Sequence, residues 1–144
     1  MTTTTTDTTL TITRHLKHPP ERVWRAWTDH DEHMQWGAPT GMKLTLFEAD
    51  FRVGGTFRLT MIGPPGEHSA SGTYKEIVPN RRMVYTWKWS TEGSPDTLIT
   101  LTFEPKDGGT RLTLVHELLK DATDVDNHRQ GWTGVFDELE KFLR

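Results

Sequence analysis

The chain has 144 residues and a mass of 16.6 kDa; 33% of the residues are hydrophobic, 26% are charged and the formal net charge is -3 at pH 7. A domain of that length hides about 70% of its unfolded surface, which suffices for a real core. The absence of cysteine excludes disulfides, thiol chemistry and thiolate-bound metal, and a pI of about 6.1 argues against a broad electrostatic nucleic-acid surface.

No apolar run approaches the length of a membrane-spanning helix. Residues 1–9 are threonine-rich, with no basic residue and no apolar stretch, so they do not read as a secretory signal. They are expected to form a disordered tail on a cytoplasmic protein whose single domain covers residues 10–144. Six Trp and six Phe are many for so polar a chain.

Leu10, Ile12 and Arg14 alternate with Thr11, Thr13 and His15, which predicts a strand. His18-Pro19-Pro20 stops it, and Pro20-Glu21 can open a helix because proline is tolerated in the first turn. Val23, Trp24 and Trp27 give that helix one apolar stripe. A second short helix is predicted over Asp31–Trp36 with Met34 facing the core; Gly37, Pro39 and Gly41 end it. From Lys43 to His116 the pattern becomes strands and turns. Leu44–Arg52 is one strand, and Gly54-Gly55 is read as supplying the positive φ angles of a tight hairpin. Strands at 56–62, 69–78, 82–89, 96–104 and 110–116 follow. The segment Gly63-Pro64-Pro65-Gly66 is expected as a longer loop, and Pro79-Asn80, Gly93-Ser94-Pro95 and Lys106-Asp107-Gly108-Gly109 as the other breaks. Short turns predict antiparallel neighbours.

The C-terminal segment is a long amphipathic helix by its apolar spacing: Val125, His128, Trp132, Val135, Phe136, Leu139, Phe142 and Leu143 share one face. Thr123 and Asp126 have the spacing of a capping box, while Arg129, Asp137, Glu140 and Lys141 suit solvent. Helices and strands are segregated, so the fold class is α+β. The simplest packing lays the long helix across the concave face of a curved antiparallel sheet of about six or seven strands.

Period two assigns Phe57, Leu59 and Met61, then Tyr74 and Glu76, to the face under the helix. Met83, Tyr85, Trp87 and Trp89, then Ile99, Leu101 and Phe103, then Leu112, Leu114 and His116 follow on that face. These rings either fill an ordinary core or leave a hollow of small-molecule size in which Tyr74, Glu76, Tyr85 and His116 are the polar groups. Gly131 and Gly134 interrupt the helix, each at about 1 kcal/mol against alanine. The expected compensation is close approach to the sheet, at Gly131 in particular, or room for a ligand.

Pro20-Glu21-Arg22-Val23-Trp24, Trp36-Gly37, Phe51-Arg52-Val53-Gly54-Gly55, Gly72-Thr73-Tyr74-Lys75-Glu76-Ile77, Gly108-Gly109-Thr110-Arg111-Leu112 and His128-Arg129-Gln130-Gly131-Trp132 occur in that order. The ordered set resembles the START-like (helix-grip, SRPBCC) superfamily, and within it the activator of heat shock protein 90 ATPase homologue-like family. The resemblance implies a curved sheet gripping the C-terminal helix over a cavity, in a superfamily that binds lipids, hormones, polyketides and other hydrophobic ligands. It makes a small hydrophobic molecule the expected partner. A chaperone interaction and a homodimer are alternatives. The co-chaperone that names the family carries an additional N-terminal domain, and the match here begins near residue 10, so chaperone activation is not the leading expectation.

The expected cavity lining is Trp36, Phe57, Leu59, Tyr74, Glu76, Tyr85, Trp87, Leu101, His116, Trp132 and Phe136. A cofactor-free cyclase or dehydratase would use a buried Glu76 as general base with His116 or a tyrosine as partner; the alternative for Glu76 is a structural bond to a nearby arginine or backbone group, or contact with water. His30 and His33, three apart beside Asp29, Asp31 and Glu32, have metal-ligand spacing but no third ligand, and a polar helix surface accounts for them equally. Ser69, Ser71 and Ser94 lack a nucleophile-elbow pattern and the glycine pairs lack phosphate-loop context. No metal and no cofactor is expected.

Overall fold

The computed structural model describes residues 8–64 and 66–144. Most of the expected tail therefore lies outside the described residues; Thr8, at its end, accepts a hydrogen bond from the backbone N–H of Leu119 at 3.0 Å.

Ten elements follow one another: β1 (Leu10–Leu16), α1 (Pro20–Thr28), α2 (His30–Trp36), β2 (Lys43–Ala49), β3 (Thr56–Gly63), β4 (Gly66–Val78), β5 (Arg82–Trp89), β6 (Thr97–Lys106), β7 (Gly109–Glu117) and α3 (Ala122–Phe142). The strands form one seven-stranded antiparallel sheet in the order β1-β7-β6-β5-β4-β3-β2. Consecutive strands from β2 to β7 are neighbours, as short turns require. The two short helices carry the chain from the β1 edge to the β2 edge, and α3 returns beneath the sheet. This is the helix-grip arrangement of the α+β class.

Local sequence explains most boundaries. Pro19 and Pro20 open α1, where a missing N–H costs nothing. Asp29 caps α2 by accepting from the backbone N–H of Glu32. Asp121, rather than Thr123, caps α3: its carboxylate accepts from the N–H of Asp124, whose own side chain accepts from the N–H of Lys120. The segment between β2 and β3 is longer than the expected two-residue turn. Gly54 alone of the pair has a positive φ, 88°. Gly55 is there for space, since a Cβ would lie 2.0 Å from the Asp50 carbonyl oxygen. At the next turn β3 and β4 pair out to Gly63 and Gly66, so the expected longer loop is short.

The core divides into two zones. One is solid: Leu10, Ile99, Leu101, Phe103, Leu112, Leu114, Phe136 and Leu139 are fully buried where β1, β7 and β6 meet α1 and α3, with Phe103 against Trp24 and Trp27. Arg14 of β1 clamps this zone from outside by donating to Asp137 at 2.9 Å and Glu140 at 3.0 Å on α3. The closest backbone neighbours of α3 are β1 and α2. The other zone lies over β3, β4 and β5, where the helix stands off and the gap is bridged by rings. Among the described residues, no helix is long and apolar enough to cross a membrane.

Candidate functional site

Under α3, over β2 to β5, the structure contains a cavity of about 760 Å³. Pockets of roughly 300–1,000 Å³ with mostly apolar walls are the usual size for small-molecule sites. The floor is Phe57, Leu59 and Met61 of β3, Tyr74 of β4, and Met83, Tyr85 and Trp87 of β5. One wall is Trp27 of α1, His33 of α2 and Phe47 of β2; the roof is Gly131, Trp132 and Val135 of α3. Asn127 and Gln130, both exposed on α3, stand at its mouth. Among the described residues, no Asp, Glu, Lys or Arg lines it.

The rings touch in edge-to-face pairs. Phe57 meets Tyr85 at 5.4 Å and 90°, Trp87 meets Trp132 at 5.5 Å across the gap, and Phe51 meets Tyr74 at 5.0 Å. Such pairs hold their geometry because ring edge meets ring face. The indole N–H groups of Trp27 and Trp87 are buried without a hydrogen-bond partner.

Of the residues expected as lining, Phe57, Leu59, Tyr74, Tyr85, Trp87 and Trp132 stand around this cavity. Leu101 and Phe136 are fully buried in the solid zone instead, and Trp36 is buried with its indole donating to the Ala26 carbonyl. Glu76 is not on the inner face at all. A β-bulge shifts the register between Tyr74 and Glu76, so that Tyr74 opposes Tyr85 while Glu76 opposes Val84. One extra residue reverses the alternation. Glu76 is exposed and accepts from Arg82 at 3.1 Å, an exposed pair of little energetic weight. Glu76→Gln is accordingly expected to change stability by less than about 0.5 kcal/mol and to leave ligand affinity unaltered; a loss above about 2 kcal/mol in urea unfolding would contradict this placement.

His116 is fully buried beside the cavity rather than on its lining. Its tautomer follows from its partners. Trp132 donates its indole N–H to Nδ1 at 3.1 Å. The Thr97 hydroxyl donates to the Trp87 carbonyl at 2.6 Å, so Nε2–H of His116 donates to that hydroxyl oxygen at 2.7 Å. Both ring nitrogens are used and the ring is neutral. Burial, reinforced by His128, pushes its pKa down to about 3. With Glu76 on the outer face and His116 spent on Trp132 and Thr97, the acid–base pair expected of a cyclase is not assembled.

The histidine pair on α2 separates in the same way. His33 is buried, stacked on Phe47 at 4.3 Å, and its Nδ1–H donates to the Trp27 carbonyl at 3.0 Å. Burial pushes its pKa down to about 4. His30 is exposed and bonded to Asp31, which raises its pKa. His33 is thus neither a ligand partner of His30 nor a surface residue but part of the wall. The unfolded chain binds protons at His33 and His116, the two buried imidazoles, more readily than the folded one. Their contribution to stability is therefore complete above about pH 6.5 and is lost progressively as pH falls towards 4, at about 1.4 kcal/mol per pH unit for each. The melting temperature is expected to drop clearly from pH 7.5 to pH 5; a flat profile would contradict the buried neutral assignments.

The two helix glycines do different work. A Cβ on Gly131 meets nothing within 4 Å, whereas one on Gly134 would lie 2.9 Å from the Thr40 nitrogen and 3.3 Å from Pro39 Cα. Close approach occurs at Gly134, towards the Pro39–Thr40 segment, and Gly131 leaves open space beside the cavity. Trp27, His33, Phe47, Trp89 and His128 also line the cavity, although they were not among the residues expected there. Period two had placed Trp89 on the inner face; His33 sits among acidic neighbours that conceal it.

A family model described as activator of Hsp90 ATPase homolog 1-like protein matches residues 17–144. A solved structure of a protein from Chromobacterium violaceum is 33% identical with a TM-score of 0.86, covering 93% of this chain and 95% of that one. An uncharacterized protein from Rhizobium leguminosarum is 35% identical with a TM-score of 0.82, covering 94% and 93%. The AHSA1 protein from Silicibacter pomeroyi is 24% identical with a TM-score of 0.82, covering 94% and 96%, a likeness of fold. No curated protein matches the chain.

Proposed function

The chain belongs to the activator of Hsp90 ATPase homolog 1-like family, and from that premise we propose that it is a binding protein for a small hydrophobic or aromatic molecule held between the sheet and α3. The observation that supports this reading is the cavity itself: about 760 Å³, walled by aromatic rings and methionines, with no Asp, Glu, Lys or Arg among the described residues that line it. Buried ring surface of this kind gives a ligand large contact area at little entropic cost.

Trp27, Trp87, Trp89 and Trp132 all line the cavity, so occupancy should be visible in intrinsic fluorescence. A saturable shift or quench is expected with some members of a panel of neutral aromatic compounds. No response across the whole panel would count against the proposal. The co-chaperone-like reading needs a continuous apolar surface. The large exposed apolar side chains, Val53, Ile62, Val78 and Leu118, come from separate segments, which gives that reading no observation of its own.

A further inference from the structure

The chain's two tyrosines, Tyr74 and Tyr85, oppose each other in register on β4 and β5, with ring centroids 6.0 Å apart. Both are buried and both line the cavity. Among the described residues, neither hydroxyl has a hydrogen-bond partner. Neither oxygen is among the fully buried unpartnered atoms, so both hydroxyls are open to the cavity, whereas buried tyrosine O–H groups normally find a partner. Burial raises the pKa of both, aided at Tyr85 by Tyr74, so each keeps its proton and remains a donor. Two donors thus stand on neighbouring strands of the cavity floor among aromatic rings and methionines, apart from the other polar side chains of the lining, Thr28, His33, His68, Asn127, His128 and Gln130.

The lining adds a second constraint. Among the described residues no Asp, Glu, Lys or Arg lines it, so a charged ligand would be desolvated with no permanently charged side chain to pair with.

We propose that the cavity takes an uncharged, largely aromatic molecule bearing a carbonyl group, and that the Tyr74 and Tyr85 hydroxyls donate hydrogen bonds to that carbonyl oxygen; this rests on the binding role proposed above. A carbonyl oxygen has two lone pairs and can accept from both hydroxyls. The flat remainder of the molecule meets Phe57, Trp87 and Trp132. A hydrocarbon of the same shape would cover both hydroxyls and leave them unpaired.

Calorimetric titration of the full chain with 9-fluorenone and with fluorene tests this, since the two share a ring skeleton and differ in the carbonyl. Fluorenone is expected to bind about tenfold or more tightly than fluorene, because a site built around donors rejects the analogue that lacks the acceptor. The double variant Tyr74→Phe/Tyr85→Phe, which removes only unpartnered hydroxyls, should keep its melting temperature and lose most of that preference. Methyl 9-fluorenone-4-carboxylate should bind about tenfold or more tightly than the free acid at pH 8, where the acid is ionised. Equal binding of fluorene and fluorenone, both abolished by Gly131→Leu, would overturn the carbonyl inference and leave the cavity reading standing. A preference that survives the double variant, or an acid that binds as well as its ester, would also overturn it. Failure of both compounds to bind the parent protein would count against the inference and the binding role together.

Discussion

Gly131→Leu is expected to fold at least as stably as the parent while losing affinity for any cavity ligand by about tenfold or more. A Cβ at this position meets nothing within 4 Å, so the new side chain has space to occupy, and that space adjoins the cavity. Replacing a mid-helix glycine also removes a penalty of about 0.8–1 kcal/mol. Gly134→Leu is the control. Its Cβ would crowd the Thr40 nitrogen at 2.9 Å and Pro39 Cα at 3.3 Å, backbone atoms that cannot step aside, and overpacking of this kind costs about 1–3 kcal/mol. The first variant should lose binding and keep its melting temperature; the second should lose stability. The reverse pattern would mean that α3 is pressed against the sheet at Gly131.

Phe136→Ala is expected to cost about 3–5 kcal/mol in urea unfolding, the range for emptying a buried aromatic site. Phe136 is fully buried on α3 in the solid zone, with the Arg14 guanidinium carbon 6.0 Å from its ring centroid. Leu139, Leu101 and Leu114 of the same zone are likewise fully buried. Close-packed surroundings relax little, so the lost volume stays lost. A cost below about 1.5 kcal/mol would show that this half of the interior is as loosely filled as the other.

Much of the architecture is legible in the chain because each element declares its period. The strand alternation from Phe57 to His116 and the stripe from Val125 to Leu143 place the sheet face and the helix face with little ambiguity. What the pattern could not show is where it breaks. The bulge between Tyr74 and Glu76 leaves no mark in hydrophobicity, and one inserted residue was enough to turn Glu76 from a buried base into a surface partner of Arg82. His33 was concealed differently: its neighbours Asp31 and Glu32 are polar, yet helical geometry turns its ring inward onto Phe47. The two α3 glycines look alike in sequence, and only the presence of Pro39 and Thr40 opposite one of them separates close approach from open space. Sequence also could not divide the interior. Leu101, Phe136 and His116 share faces with cavity residues, but they lie where α3 rests near β1, and the hollow opens only where the helix stands away from β3, β4 and β5.

That hollow can be examined without knowing its ligand. Apolar cavities take up xenon, so diffraction from a crystal of the protein under xenon pressure reads unfilled volume directly. The expected result is a xenon peak bounded by Phe57, Leu59, Met61 and Val135, absent from crystals of Gly131→Leu. Rings in mutual contact with no xenon among them would contradict the account.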